Sequence, residues 1–469
     1  MDKYRFYTDQ DKAQLKLRYQ LNNLLKQAIS RRSGIIKTVF EHYREPDIAG
    51  LYNFSTVLCQ GTQYGDGYYD PPQNNGGAAY TRLRSYVGAI GESLERYCSS
   101  FQDPTHFIFD SYNTLVKRGY NLFDPEQITL FSDTQYEREG FPFKKFTRNT
   151  RVCWAEAEKL NPNGTSKPIY YPAWLIYMPY GRHPEEPVLG YGISTGMAAG
   201  PIGSARPTLS GLQETLERDA YMIVWHNQLP VPKLDWRKSP RISKMIREKF
   251  PDAEYADITI NVLTTDIEIP VMIATKIEKN NPNSCLTLGV SADTDVETCA
   301  IEAIKEMVQD YYYIRYLVRT KEKVAMTKDF SNIDDFEKRV ILWGYPEMLP
   351  YYDFLAKNPK EELSVEALKK RYPNFAKTFN SDEERIWHLV KCCTDLGYDV
   401  IRKDITTPDV YALGVQVCKT FVPQCQPLEG DHNYRFYGGK RMVEVPVKMG
   451  YRTTLSKESD LNPVPHPLP

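Results

Sequence analysis

The chain has 469 residues, 41% hydrophobic and 25% charged, values of an ordinary globular protein with no sign of wholesale disorder. Lys and Arg number 59 against 60 Asp and Glu, so the basic surplus expected of a nucleic-acid binder is missing. The start, Met1-Asp2-Lys3-Tyr4-Arg5, lacks the apolar stretch of a signal peptide, and no run of about 18 apolar residues is present to span a bilayer. Nine scattered cysteines without a CxxC suit reduced thiols in the cytoplasm better than a disulfide framework or a zinc finger.

Residues 9–31 read as a helix with Leu17, Leu21, Leu24 and Leu25 on one face, followed by a strand-like run from Ile35 to Phe40. Gly61–Gly77 is a loop by composition. A helix is expected from Arg82 to Cys98. Strands are expected at Arg151–Glu156 and within Ile169–Pro179, then a Gly/Ser/Ala loop at Tyr191–Arg206 leading to a helix from Leu209 to Trp225. Ile258–Thr265 and Val271–Ile277 suit a strand pair, and Val296–Arg319 a third long helix. Residues 320–385 resemble a helical insertion more than core. Asp399–Asp404 and Val410–Val417 return to strands. The alternation points to a mixed α/β or α+β fold.

One pattern repeats. Glu92-Ser93-Leu94-Glu95-Arg96 returns as Glu214-Thr215-Leu216-Glu217-Arg218, and Glu306 and Gln309 echo its i, i+3 spacing. On a helix, i and i+3 share a face, so each Glu pair forms its own stripe beside the apolar positions. Such strings can be solvated faces, where an i, i+4 Glu–Arg pair contributes only about 0.2–0.5 kcal/mol. Helical amphipathicity alone, however, would not keep Glu at both outer positions twice. Four carboxylates converging across two helices would repel unless cations compensate them, and Mg²⁺ favours oxygen ligands while keeping places for phosphate. The residues alone leave exposed helices and a metal–phosphate site both open. No GxxxxGK[ST] or strand-borne GxGxxG offers another phosphate site. The last residues, Pro463 to Pro469 with proline at every second position, favour extended polyproline II.

With these pieces placed, the chain resembles the YcaO-domain proteins, specifically the azoline-forming cyclodehydratases (D proteins) of thiazole/oxazole-modified microcin biosynthesis. The matching segments are Ser33-Gly34-Ile35-Ile36, Gly91–Tyr97, Tyr171-Pro172-Ala173, Thr195–Gly200, Gly211–Ala220 and Asn462–Pro469. The resemblance implies a YcaO-type ATP-binding fold with facing Glu-bearing helices. Residues 1–60 would contribute to the nucleotide site, 61–460 would form the catalytic domain, and 461–469 the PxPxP tail. It further implies that Glu92, Glu95, Glu214 and Glu217 bind Mg²⁺ and, through it, ATP. Arg218 would contact phosphate or orient the acids, and Ser33, with Lys26 reached by counting back, would touch the nucleotide. Many relatives carry Asn and Glu where this chain has Pro201–Arg206, a departure at which the resemblance implies that Arg206 substitutes as a phosphate-facing cation.

The implied reaction is ATP-dependent conversion of Cys, Ser or Thr in a precursor peptide to thiazolines or oxazolines, with the tail, ending at Pro469, shaping the catalytic site. Expected partners are the precursor peptide, a leader-binding (RRE) protein and a flavin-dependent azoline dehydrogenase, and a homodimer is left open. No nucleic acid or membrane partner is expected. The alternatives are a thioamide- or amidine-forming YcaO enzyme and a non-catalytic scaffold.

Overall fold

The computed structural model describes residues 19, 22–43, 51–60, 70–71, 75–250, 258–278, 285–357, 359 and 361–468. A small antiparallel sheet comes first, in the order β1 (Ile36–Glu41), β2 (Tyr52–Leu58), β3 (Asn75–Ala79). Helix α1 (Arg82–Ser100) lies on it, opened by the Thr81 hydroxyl, which accepts the Arg84 N–H, and burying Ile90, Leu94, Tyr97 and Cys98. The second long helix, α2 (Arg206–Asn227), packs on β4 (Met197–Pro201). It carries Pro207 in its first turn, where a missing N–H is harmless, and is buried on nearly every side, as a central helix must be. The third, α3 (Val296–Thr320), sits on β5 (Leu286–Ala292) and is capped by Asp295, which accepts the Thr298 N–H at 2.8 Å.

Strand β5 edges a five-stranded sheet continued by Val271–Ile277, Ile258–Val262, Lys233–Leu234 and Glu362–Leu363, with only the last pair parallel. A six-stranded sheet runs Ile108–Ser111, Arg151–Leu160, Val400–Asp404, β6 (Val415–Phe421) and β4, with Ser166–Pro172 on Arg151–Leu160. Mixed helices and sheets are thus the observed class, as expected. No described helix is long and apolar enough to cross a membrane.

Two glycines set how closely helices approach strands. A Cβ on Gly77 of β3 would lie 2.3 Å from the Ala89 nitrogen of α1, and one on Gly289 of β5 would lie 2.2 Å from the Met307 nitrogen of α3. Only glycine permits these contacts.

Several local expectations change. Asn75-Gly76-Gly77, read as loop, begins β3, because pairing with β2 and helix contact override the turn-like composition. Likewise β4 lies inside the supposed loop at 191–206. The run after Ile169 leaves its strand at Pro172 for a helical turn, Ala173–Ile176. Val410–Val417 divides into a short helix, Pro408–Ala412, and the start of β6. Of the first helix, 22–28 is helical, while 9–18 lies outside the described residues. Residues 320–385 are mainly helical, but Trp343, Met348 and Tyr352 are fully buried in the cluster around α2, so the segment is part of the core.

The C-terminal helix Lys440–Lys448 is fastened to α2 by a buried ion pair. Arg441 meets Asp219 through Nε–Oδ1 at 2.9 Å and Nη2–Oδ2 at 2.6 Å, and its Nη1 is 2.8 Å from Asp266. Arg441→Met leaves Asp219 buried without its cation and Asp266 with only Lys448, 3.6 Å away. Urea unfolding at neutral pH is expected to show a loss of about 3–5 kcal/mol; an unchanged midpoint would mean that the pair does not hold the helix.

Candidate functional site

The hydroxyl residue inside each repeat explains part of the motif. Ser93 lies 2.6 Å (Oγ to Oγ1) from Thr56 of β2 and donates to the Ala89 carbonyl. Thr215 donates to the carbonyls of Gly211 and of Thr420 in β6. Each hydroxyl therefore pins its helix to a strand behind it, and the following Leu94 or Leu216 is buried. The flanking acids are left facing the other way.

Four of the glutamates then take a backbone N–H from a neighbouring strand or its lead-in. Glu92 accepts from Gly76 at 2.9 Å, Glu95 from Ala199 at 2.7 Å and Glu214 from Gly196 at 2.8 Å. Glu306 accepts from Val290 at 3.1 Å, and the Ala292 N–H acts on Glu217 only as a minor influence that opposes the rise of its pKa. Since Ala199 belongs to β4, beneath α2, the bond from Glu95 ties α1 to the second helix. Glu306 joins the group as a third wall, resolving the weak echo seen in the sequence. Gln309 is partly buried on the same helix.

Arg218 stands among three acids, 3.4 Å from Glu217, 3.7 Å from Glu214 and 3.9 Å from Glu306. Its Nε faces Glu217 without hydrogen-bond geometry, and its Nη1 has no hydrogen-bond acceptor although the side chain is mostly buried, an arrangement that leaves Nη1 able to meet an anionic partner. Among the described residues Arg96 pairs with Glu92 alone, at 3.6 Å.

The electrostatics record the crowding. Burial pushes the Glu95 carboxyl up to about 8, with Glu92 and Glu214 adding to the rise and Arg96 and the Ala199 N–H opposing it. Glu92 and Glu306 are raised mainly by burial, and Glu217 is raised well above the usual carboxylate range. Repulsion from Glu214 contributes to all four shifts. Asp310, one turn beyond Glu306, is also buried, raised by burial and bonded to the Leu288 N–H. It was missed in the sequence, although i, i+4 spacing from Glu306 places it on the same face.

Other predicted residues fall differently. Arg206 is exposed at the start of α2; its charge, with that of Arg84, adds to burial in lowering the pKa of Lys305 on α3. Lys26 and Ser33 are exposed, with Ser33 Oγ 3.5 Å from Ser30 Oγ. Among the described residues no hydrogen bond or ion pair joins either to the glutamates. Pro469 lies outside the described residues.

The tail leading to it is docked. Residues 464–468 are buried. Trp225 donates to the Val464 carbonyl at 3.1 Å and Trp343 to that of Pro465 at 2.9 Å. The Asn462 N–H reaches the His226 carbonyl, and the Leu468 N–H reaches the Tyr221 hydroxyl at 3.3 Å. These contacts step back along α2 from His226 to Tyr221, toward Arg218. A polyproline segment has few backbone donors of its own, and here the indole N–H groups satisfy its carbonyls.

A carboxyl raised by folding binds more protons in the folded than in the unfolded chain between its ordinary pKa and its raised one, so its contribution to stability falls as pH rises through that window. For Glu95 the window ends near pH 8. Without divalent cation, the thermal midpoint is expected to drop from pH 6 to pH 8.5, and the gain on adding Mg²⁺ to grow over the same range. A cation effect equal at both pH values would contradict the placement of these acids.

A family model described as YcaO cyclodehydratase, ATP- and Mg²⁺-binding, matches residues 76–426. A search of curated proteins gave no match. Among solved structures, a heterocyclase in complex with substrate and cofactor is 21% identical with a TM-score of 0.72, covering 96% of this chain and 57% of its own. This chain therefore spans little more than half the length of that protein. YcaO from Methanopyrus kandleri bound with AMPPCP and Mg²⁺ is 18% identical with a TM-score of 0.57, covering 88% of this chain and 91% of its own. The E. coli microcin synthetase McbBCD complex gives 12% identity and a TM-score of 0.56, covering 84% and 90%. At these identities the structures speak for the fold, while the family model, matching well over half of the sequence, decides membership: this chain belongs to the YcaO family of ATP- and Mg²⁺-binding cyclodehydratases.

Proposed function

We propose that this protein is an ATP- and Mg²⁺-dependent cyclodehydratase that converts Cys, Ser or Thr of a ribosomally made precursor peptide to thiazolines or oxazolines. The observation that carries the reading is the wall of five glutamates, four of them held by a backbone N–H, around an arginine whose Nη1 lacks an acceptor. Glu92, Glu95, Glu214 and Glu217 would hold Mg²⁺, with Glu306 extending the wall. The candidate donors are all oxygens, which suits Mg²⁺, an ion that keeps positions for phosphate and water; among the described residues no three ligating side chains are gathered closely enough to hold a metal by themselves, so phosphate would have to complete the site.

When bound, MgATP supplies the phosphoryl group that makes an amide oxygen a leaving group, together with the charge that stabilises its transfer. The substrate thiol or hydroxyl adds to the preceding carbonyl carbon and gives up its proton. The former amide oxygen departs as phosphate and the amide nitrogen loses its proton, closing a C=N ring with ADP as the other product. Arg218, beside three carboxylates, would meet phosphate oxygens through Nη1. Arg206, Lys26 and Ser33 remain proposed nucleotide contacts from the rim. The docking of residues 462–468 along α2 supports a tail that takes part in the site.

The precursor would be delivered by a leader-binding protein, and a flavin-dependent dehydrogenase would oxidise the product. The E. coli microcin synthetase is likewise described as a complex. Nine free cysteines and the use of ATP fit a cytoplasmic setting.

Reconstitution with partner, precursor, Mg²⁺ and ATP, read by mass spectrometry, is expected to show loss of one water per ring, and none after deletion of 463–469. An oxygen-for-sulfur mass change would establish the thioamide alternative. Unmodified precursor with the complete system, or full activity in the truncated chain, would overturn the reading or the tail's part in it, respectively.

A further inference from the structure

Lys419 of β6 is the only fully buried lysine among the described residues. Its Nζ donates to the carbonyls of Leu175 at 2.8 Å, Ile176 at 3.1 Å and Ile193 at 2.6 Å. Three donated bonds use every N–H of an ammonium, whereas a neutral amine has two. Burial pushes its pKa down to about 7, Arg96 acts in the same direction, and Glu214 opposes both. The side chain is thus a cation held by carbonyl dipoles, and the charged groups it senses belong to the two Glu-x-x-Glu-Arg motifs.

The three carbonyls come from two places, the helical turn Ala173–Ile176 and the segment just before β4. Between them Met178 is fastened to the end of α1, its N–H reaching the Ser99 carbonyl at 2.9 Å and its carbonyl accepting the Ser99 hydroxyl at 2.8 Å. Lys419 stands opposite Met197 in the β6–β4 pairing, and the next residue, Thr420, donates its N–H to the Gly196 carbonyl at 2.8 Å. Gly196 and Ala199 are the residues whose N–H groups hold Glu214 and Glu95.

We infer that Lys419 is a positioning residue of the cation–nucleotide site: its ammonium fixes the segment that presents the Gly196 and Ala199 N–H groups, and so sets how the glutamates of α1 and α2 face each other. Its occupant, MgATP, rests on the function proposed above. Lys419 would touch neither metal nor nucleotide. Its effect passes through backbone, as does that of groups that orient metal ligands from behind.

Calorimetry of MgAMPPCP binding separates the possibilities. Lys419→Met keeps the length of the side chain and removes charge and donors. It is expected to weaken binding by about 10–100-fold and to raise the Mg²⁺ concentration needed for half-saturation, with circular dichroism unchanged. A folded variant that binds within about twofold of wild type would overturn the inference while leaving the functional reading intact. Failure of the wild type to bind would remove both. Should the variant not fold, wild-type protein carrying ¹⁵N at lysine Nζ decides. One solvent-protected ammonium signal should shift on adding MgAMPPCP, and an unmoved or absent signal would refute the assignment.

Discussion

Repulsion among like charges is the constraint around which this molecule is built. Five carboxylates are gathered where three helices meet, and burial with mutual proximity raises Glu92, Glu95, Glu217 and Glu306. The chain holds them there with backbone. Four of the five receive an N–H from a strand or its lead-in, and glycines at 77 and 289 allow α1 and α3 to come close enough to their strands. The arrangement remains short of positive charge: Arg218 alone touches three acids. On the proposed function, a divalent cation with phosphate would relieve both deficits at once, neutralising carboxylates and giving Arg218 Nη1 an anion to bind.

Architecture and chemistry meet along α2. The helix carries Glu214, Glu217 and Arg218 near its beginning, Asp219 for the buried pair with Arg441, and Tyr221, Trp225 and His226 against the tail. Successive turns of one helix therefore connect the site, the C-terminal helix and the proline segment. The 320–385 segment enters the same construction through Trp343, whose indole holds the Pro465 carbonyl. What composition suggested to be peripheral is thus the outer wall of the tail groove.

Much of the site was legible because helical periodicity is strict. The i, i+3 spacing of the acids, their duplication and the hydroxyl between them all survive in three dimensions. Glu306, an echo without its own Glu-x-x-Glu, could be joined to the group only once α3 was placed beside α2. The strand at Asn75–Ala79 was hidden because its glycines serve close packing, while composition reads them as a turn. Lys419 gave no signal at all, since a lysine in a strand pattern is ordinarily taken for a solvated side chain. Backbone donors such as Gly196 and Ala199 carry no side-chain signature, and only the register of β4 against β6 reveals them.

The central claim is that these glutamates act together as a cation–phosphate site. Electron paramagnetic resonance of Mn²⁺, a substitute for Mg²⁺, tests it directly by following free ion as protein and a non-hydrolysable ATP analogue are added. The free-ion signal should fall in the wild type only when nucleotide is present, and remain high in Glu92→Gln and Glu217→Gln. Equal uptake by wild type and both variants would contradict the claim, as would no uptake by the wild type.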